Sequence, residues 1–186
     1  DVSHELRTPL TVIKGNVSLM RKYGEADEES LASIEAEVDR LTRMVGDLLL
    51  LAQAESGRLP LARDAVELDT VLLEVFHQMR TLAGERISVR VAEIDQVQVT
   101  GDRDRLKQVL LNLMSNAVQY TPAGGQVSVA LRKDEHEAQV VISDSGPGIP
   151  AQDLPHIFER FYRGEKSRKR GQGSGFGLGL SIAYWI

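Results

Sequence analysis

The sequence contains no cysteine. That absence excludes disulfides and thiolate metal sites, and it favours a reducing compartment. A zinc site built from imidazoles is unsupported for another reason. The four histidines, His4, His77, His136 and His156, are scattered without ligand spacing. Long apolar runs are also lacking. The longest, Leu48 to Ala52, falls far short of the roughly 20 residues that cross a bilayer. No signal peptide and no internal repeat is visible. Positive charge is in deficit: the net charge of -5 favours neither nucleic acid nor an anionic membrane as a partner. What is present is 186 residues, 42% of them hydrophobic, enough for one large or two small folded domains. The chain opens directly into a motif and stops at "SIAYWI" without a terminal turn. It therefore reads as an excerpt of a longer protein, with any membrane attachment in absent segments.

The first third carries a seam. From Leu6, apolar residues recur at Leu10, Ile13, Val17 and Met20, in steps of four and three. After the polar break "KYGEADEE", a second series runs through Leu31, Ile34, Val38, Leu41, Val45, Leu48 and Ala52. Two amphipathic helices joined by a short loop make an antiparallel hairpin. Alone it buries too little surface, so pairing with a second copy into a four-helix bundle is expected. A Gly/Pro-containing linker, "SGRLPLARDA", follows. The remainder predicts a helix over 68–82 and short strands in "ISVRVAE" and "VQVTGD". It then predicts an amphipathic helix over 103–120 and a strand pair flanking "DEHE". A glycine-rich basic loop leads into a last helix after Gly175. This is an α+β pattern, with helices over one mixed sheet.

"SHELRTPLT" opens the first helix. At about 100° per residue, His4 lies roughly 160° from the seam, on the outer face with Thr8 and Thr11. A solvated face with an incidental histidine is the plain alternative. Against it, an exposed imidazole can act as a nucleophile near neutral pH. Glu5 offers a carboxylate beside it that can hold the right tautomer. Pro9 cannot donate to the carbonyl of Glu5 and clashes with it, so a bend is expected beside the histidine, at a cost of about 3 kcal/mol.

Four further patterns follow in order. In "NLMSNAVQYTP", Asn112, Asn116 and Gln119 share a stripe away from the apolar face, and carboxamide oxygens can ligate Mg²⁺ or meet phosphates without adding negative charge. In "DSGPGIP", Asp144 ends an apolar strand, where its carboxylate can accept from a base amine. Gly146 and Gly148 there let backbone approach a flat ligand. Five basic residues lie between Arg163 and Arg170, as suits a triphosphate lid. Gly171, Gly173, Gly175, Gly177 and Gly179 then open the last helix, where backbone amides can face phosphate. Each pattern alone is also an ordinary polar face, turn or charge run.

Together, and in this order after the His4 hairpin, they resemble the catalytic core of bacterial two-component sensor histidine kinases. "SHELRTPLT" resembles the H-box, "NLMSNAVQYTP" the N-box, "DSGPGIP" the G1 box, "FERFYR" the F-box and "GFGLGL" the G2 box. The resemblance implies a dimerisation and phosphotransfer hairpin over 1–57, a linker over 58–66, and a Bergerat-type ATP-binding domain over 67–186. It implies a protein-histidine kinase that uses ATP and Mg²⁺, with His4 as phosphoacceptor, Glu5 as its activating acid and Thr8 as the residue orienting water in dephosphorylation. Asn112 and Asn116 match the magnesium and phosphate asparagines, Tyr120 the aromatic beside the nucleotide, and Asp144 the adenine-amine acceptor. Arg163 matches an arginine that helps phosphoryl transfer, and Gly175, Gly177 and Gly179 match the lid-end glycines. The implied partners are a second copy through the hairpin and a response-regulator receiver domain that docks on the surface from Thr11 to Lys22. The implied setting is the cytoplasmic portion of a membrane-anchored sensor.

Three departures stand out. Gln119 replaces a lysine that reaches the phosphates in many relatives, with Lys166 or Arg168 as candidate substitutes. Phe176 is bulkier than the usual Thr or Ser. The last strands of the family's sheet are not present after "SIAYWI"; an open sheet edge is expected only if the protein itself ends there, and nothing follows if it continues. Two other readings stay open, a phosphatase working through Thr8 and a catalytically silent dimeric scaffold. An ATP-driven clamp of the gyrase or MutL kind leaves the His4 hairpin unexplained.

Overall fold

The structure, a computed structural model, describes residues 2–24, 27–164 and 175–186. Helices α1 (Val2–Tyr23) and α2 (Glu28–Glu55) fold back on each other. Asn16 near the end of α1 donates to Ser33 near the start of α2 (Nδ2 to Oγ, 3.1 Å), while Leu6 at the other end packs near Met44 and Leu51. Asp27 caps α2, its Oδ1 accepting from the Ser30 amide at 2.7 Å.

The expected seam divides in two. Leu6, Ile13 and Met20 are half-buried, whereas Leu10 and Val17 are turned out, 54% and 42% exposed. On α2 the outward set is Leu31, Val38 and Val45, spaced by seven. In a four-helix bundle each helix has two neighbours, so alternate seam positions serve different ones. The first set meets the hairpin partner. The second is left uncovered by this chain. α1 runs unbroken through Pro9, which is itself buried. Among the described residues, no helix is long and apolar enough to cross a membrane.

The rest of the chain is an α/β unit. It comprises β1 (Asp64–Glu67), α3 (Leu68–Ala83), β2 (Ser88–Ile94), β3 (Gln98–Gly101), α4 (Arg103–Tyr120), β4 (Gln126–Lys133) and β5 (Ala138–Asp144). A 3₁₀ turn at Leu154–His156 and a short helix α5 (Gly179–Trp185) follow. In β4 the period-two alternation buries Val127, Val129 and Leu131 against Leu72 and Val75 of α3 and Leu110 and Met114 of α4. β2 pairs parallel with β4, and β5 pairs antiparallel with it.

Two expectations are corrected. The single mixed sheet is resolved as two, β1-β3 and β2-β4-β5. β3 takes β1 as its antiparallel partner, and β2, interrupted by an irregularity between Val91 and Glu93, takes β4. Helices from the shared core bridge both sheets. The strand β1 also lies partly inside the stretch read as linker, with Asp64 opposite Gly101 and Val66 opposite Val99. "DAVE" buries only Val66, too little pattern to announce a strand.

A second apolar cluster joins the unit to the hairpin. Met44, Leu50 and Leu51 of α2 pack with Phe176, Leu178 and Ile182, and Leu6 of α1 lies at its edge. An ion pair between Glu55 and Arg160 borders this junction.

Asp102 both starts α4 and fixes the end of the linker. Its Oδ1 accepts from the amides of Asp104 and Arg105, and its Oδ2 from that of Ala62, each at 3.1 Å. The Arg105 and Ala62 amides hold its carboxyl below the ordinary 3.8. Asp102→Ala should cost about 1 kcal/mol in denaturant unfolding at pH 7. Because the folded-state value is depressed, that stabilisation is complete above the ordinary value and is lost as pH falls through the lowered one. The difference between variant and wild type should therefore shrink toward zero in acid.

Candidate functional site

The site has two parts. The first is the exposed face of α1. His4 is solvent-exposed, Glu5 is half-buried, and Thr8 is exposed one turn on. The Thr8 hydroxyl donates to the His4 carbonyl at 3.5 Å, and Thr11 donates likewise to Arg7 at 2.8 Å. Both hydroxyls thus back-bond to the helix in the turns around Pro9, where the Glu5 carbonyl has lost its usual donor. Among the described residues no hydrogen bond joins Glu5 to the His4 ring. Helical neighbours project about 100° apart, which keeps the two side chains separate in this conformation.

The second part is a cavity of about 690 Å³. One wall is the polar stripe of α4: Asn112, Ser115, Asn116, Gln119 and Tyr120. The opposite wall is Gly175–Leu180, with Tyr162 and Arg163 adjoining. The two walls are tied together. Asn112 donates from Nδ2 to the Gly179 carbonyl at 3.1 Å. A Cβ on Gly179 would stand 3.4 Å from the Asn112 carboxamide carbon, so the approach is close. Gly177 has φ +73, and a Cβ there would fall 2.7 Å from the Tyr162 carbonyl. Only glycine fits that crossing. Its carbonyl accepts from the Phe161 amide at 3.0 Å, and Phe161 itself is held at φ 62.

The Tyr120 end of the cavity adjoins the end of β5. The exposed Asp144 carboxylate accepts from the Gly146 amide at 2.8 Å, and a Cβ on Gly146 would fall 2.6 Å from that carboxylate and 3.2 Å from the Tyr120 carbonyl. Gly148, with φ +67, turns the chain beyond it. The structure therefore brings Asn112, Asn116, Gln119, Tyr120, Arg163, Gly175, Gly177 and Gly179 to one cavity. Asp144 and Gly146 abut it through Tyr120, while His4, Glu5 and Thr8 lie outside its lining. Lys166, Arg168, Gly171 and Gly173 fall outside the described residues.

Several contributors escaped sequence reasoning. Arg86 donates to the carbonyls of Val118 and Thr121, at 2.5 and 2.7 Å, and so secures the end of α4 beside Tyr120. Arg40, Arg43 and Asp47 of α2 also line the cavity. Nothing in the sequence singles them out, because their position depends on how the two units dock. Phe176 explains its own bulk: it is buried in the α2 cluster, with the Arg40 guanidinium 4.8 Å from its ring centroid.

The donor set suits a hard cation. Asn112 spends its amide nitrogen on Gly179 and keeps its oxygen, and the Asn116 side chain makes no hydrogen bond to another described residue. Among the described residues there is no cluster of His, Cys, Asp or Glu able to hold a metal by itself.

Comparison with known proteins bears on both parts. Residues 1–57 match the family model of the His Kinase A (phospho-acceptor) domain. Residues 101–186 match that of the histidine kinase-, DNA gyrase B- and HSP90-like ATPase. The signal transduction histidine-protein kinase BaeS of Escherichia coli is 37% identical over 91% of this chain, which spans 37% of that relative's length. The solved histidine kinase AdeS of Acinetobacter baumannii superposes with a TM-score of 0.76 at 27% identity, over 98% of this chain and 84% of that one. Histidine kinase ThkA, solved in complex with the response regulator protein TrrA, gives 0.66 at 27% identity, over 87% of this chain and 49% of that one. A phosphoacceptor hairpin and an ATPase unit in one chain, matched in sequence and in fold, make this protein a member of the sensor histidine kinase family.

Proposed function

We propose that this chain transfers the γ-phosphoryl group of ATP to His4 and then passes it to an aspartate of a response-regulator receiver domain. One observation carries the reading: a single apolar cluster holds both Leu6, two residues beyond His4, and Phe176 and Leu178 from the cavity wall. The phosphoacceptor end of the hairpin and the glycine loop are thereby neighbours. The ATPase family model supports ATP as donor, and the complex of ThkA with TrrA supports a receiver domain as acceptor.

In this reading the base lies against Tyr120 with its exocyclic amine toward Asp144, and the phosphates run along the α4 carboxamides to the glycine loop. A magnesium ion, where bound, would be held by Asn112 and Asn116 and would neutralise phosphate charge. The ATPase unit swings about the linker until the γ-phosphate faces His4. A neutral imidazole nitrogen forms the N–P bond in line, the bond from the γ-phosphorus to the bridging oxygen breaks, and ADP leaves. Glu5 balances the charge that develops on the ring, and Arg163 offsets that on the phosphoryl oxygens. Pro9 serves as the hinge through which upstream segments change the exposure of His4. The working part lies on the cytoplasmic side of a membrane-anchored sensor.

The uncovered stripe of Leu10, Val17, Leu31, Val38 and Val45 supports a homodimer through the hairpin. The exposed Thr8 hydroxyl supports a second activity, dephosphorylation of the regulator.

Incubation with labelled ATP should give acid-labile, base-stable phosphate on the wild type and none on His4→Gln. Equal labelling of His4→Gln would sink the proposal. Asn116→Ala should lower the labelling rate about 100-fold or more, read from initial rates. Val38→Glu combined with Val45→Glu should convert the dimer to monomer in sedimentation, while a persistent dimer would place the interface elsewhere.

A further inference from the structure

We propose that α2 forms part of the nucleotide site, with Arg40 and Arg43 binding the triphosphate of a nucleotide held in the cavity of the same chain. The inference rests on reading that cavity as the nucleotide site, and it adds a wall contributed by the hairpin.

The charge balance of the cavity motivates it. A nucleoside triphosphate carries several negative charges. The α4 wall offers only neutral groups: Asn112, Ser115, Asn116 and Gln119. Of the four arginines that line the cavity among the described residues, Arg86 is committed to the carbonyls of Val118 and Thr121. That leaves Arg163 from the ATPase unit and Arg40 and Arg43 from α2.

Arg40 has unused donors. Its side chain is 23% exposed, and its Nε is buried without a hydrogen-bond partner among the described residues. Its ion pair to Glu37 on the same helix is long, 3.6 Å. A guanidinium has five N–H donors in a planar fork that fits phosphate oxygens, so a half-buried, underused fork facing a cavity is suited to an anion. Arg40 also lies at the appropriate end. Tyr120, Asp144 and Gly146 mark one end of the site. Arg40 stacks over Phe176 in the glycine loop, whose Gly179 is tied to Asn112 at the other. Arg43 follows one helical turn later on the same face, and Asp47 one turn further.

Asp47 provides a control of opposite sign. It lines the same cavity, and burial pushes its carboxyl up against the pull of Arg43. A carboxylate there opposes a bound triphosphate, so its removal should strengthen binding where removal of the arginines weakens it.

The test uses the full chain, a non-hydrolysable ATP analogue and adenosine, with affinities measured by calorimetry. Arg40→Gln with Arg43→Gln should weaken the analogue about tenfold and leave adenosine unchanged. Asp47→Asn should tighten the analogue about threefold, a change that misfolding cannot imitate. The inference is overturned if the double variant binds the analogue within about twofold of wild type, or loses adenosine to the same extent. Asn116→Ala separates the two levels. If it abolishes analogue binding while the α2 variants keep it, the cavity is the nucleotide site and only the role of α2 fails. If the wild type binds no analogue, both readings fall.

Discussion

The structure depends on one insertion. Phe176 leaves the glycine loop and enters the apolar face of α2, among Met44, Leu50 and Leu51. Around it the hairpin and the ATPase unit also meet through Leu178 and Ile182, with Phe161 and Ile186 at the edge of the cluster and an ion pair bordering it. With it, the position of the loop and the position of the hairpin become one variable. The Arg40 guanidinium seals the outer side of the ring and draws a charged helix face toward the cavity. A small residue at this position would leave the loop held to the helix through Leu178 alone. The departure from the family's usual Thr or Ser therefore has a physical consequence: docking here is coupled to the conformation of the glycine loop.

The backbone around that insertion is correspondingly constrained. Gly177 crosses Tyr162 so closely that no side chain fits, and Phe161 is held at a positive φ that a bulky residue rarely adopts. Such conformations persist only where surrounding contacts determine them. Here the contacts are the hydrogen bond from the Phe161 amide to the Gly177 carbonyl, that from Asn112 to the Gly179 carbonyl and the packing of Phe176. The loop is thus braced on three sides, by the chain before it, by α4 and by α2. Any ligand that takes over the Asn112 carboxamide or the Arg40 guanidinium changes the balance among these braces.

What the sequence made legible followed from local chemistry. Helix α4 was readable because its apolar face is periodic, and in the structure Asp102 caps its start. Strands β4 and β5 were readable because alternation and a polar turn suffice to define a hairpin. The cavity's α4 stripe and its glycines were also readable, since spacing alone puts Asn112, Asn116 and Gln119 on one side. Strand β1 was not, because a four-residue strand with one buried side chain carries almost no pattern. Arg40, Arg43 and Asp47 were not, because their placement arises from a contact between positions more than a hundred residues apart. On the helix itself they are indistinguishable from solvated charge. The seam of α1 was readable as apolar, but which half meets α2 and which half is left uncovered is a tertiary fact.

These constraints bear on how His4 could be presented. Leu6 packs at the edge of the cluster that holds Phe176, so the turn carrying His4 is already anchored to the junction with the ATPase unit. His4 itself points to solvent and lies outside the cavity lining. Moving the ATPase unit toward it must disturb the Phe176 contact, because the same cluster fixes both. The buried Pro9 sits one turn after His4, in a helix that has lost a backbone hydrogen bond at Glu5, while the Thr8 and Thr11 hydroxyls donate to the carbonyls of His4 and Arg7. The helix is therefore weakest where it faces the junction. Release of Phe176 and deformation at Pro9 would therefore involve the same few residues around Leu6.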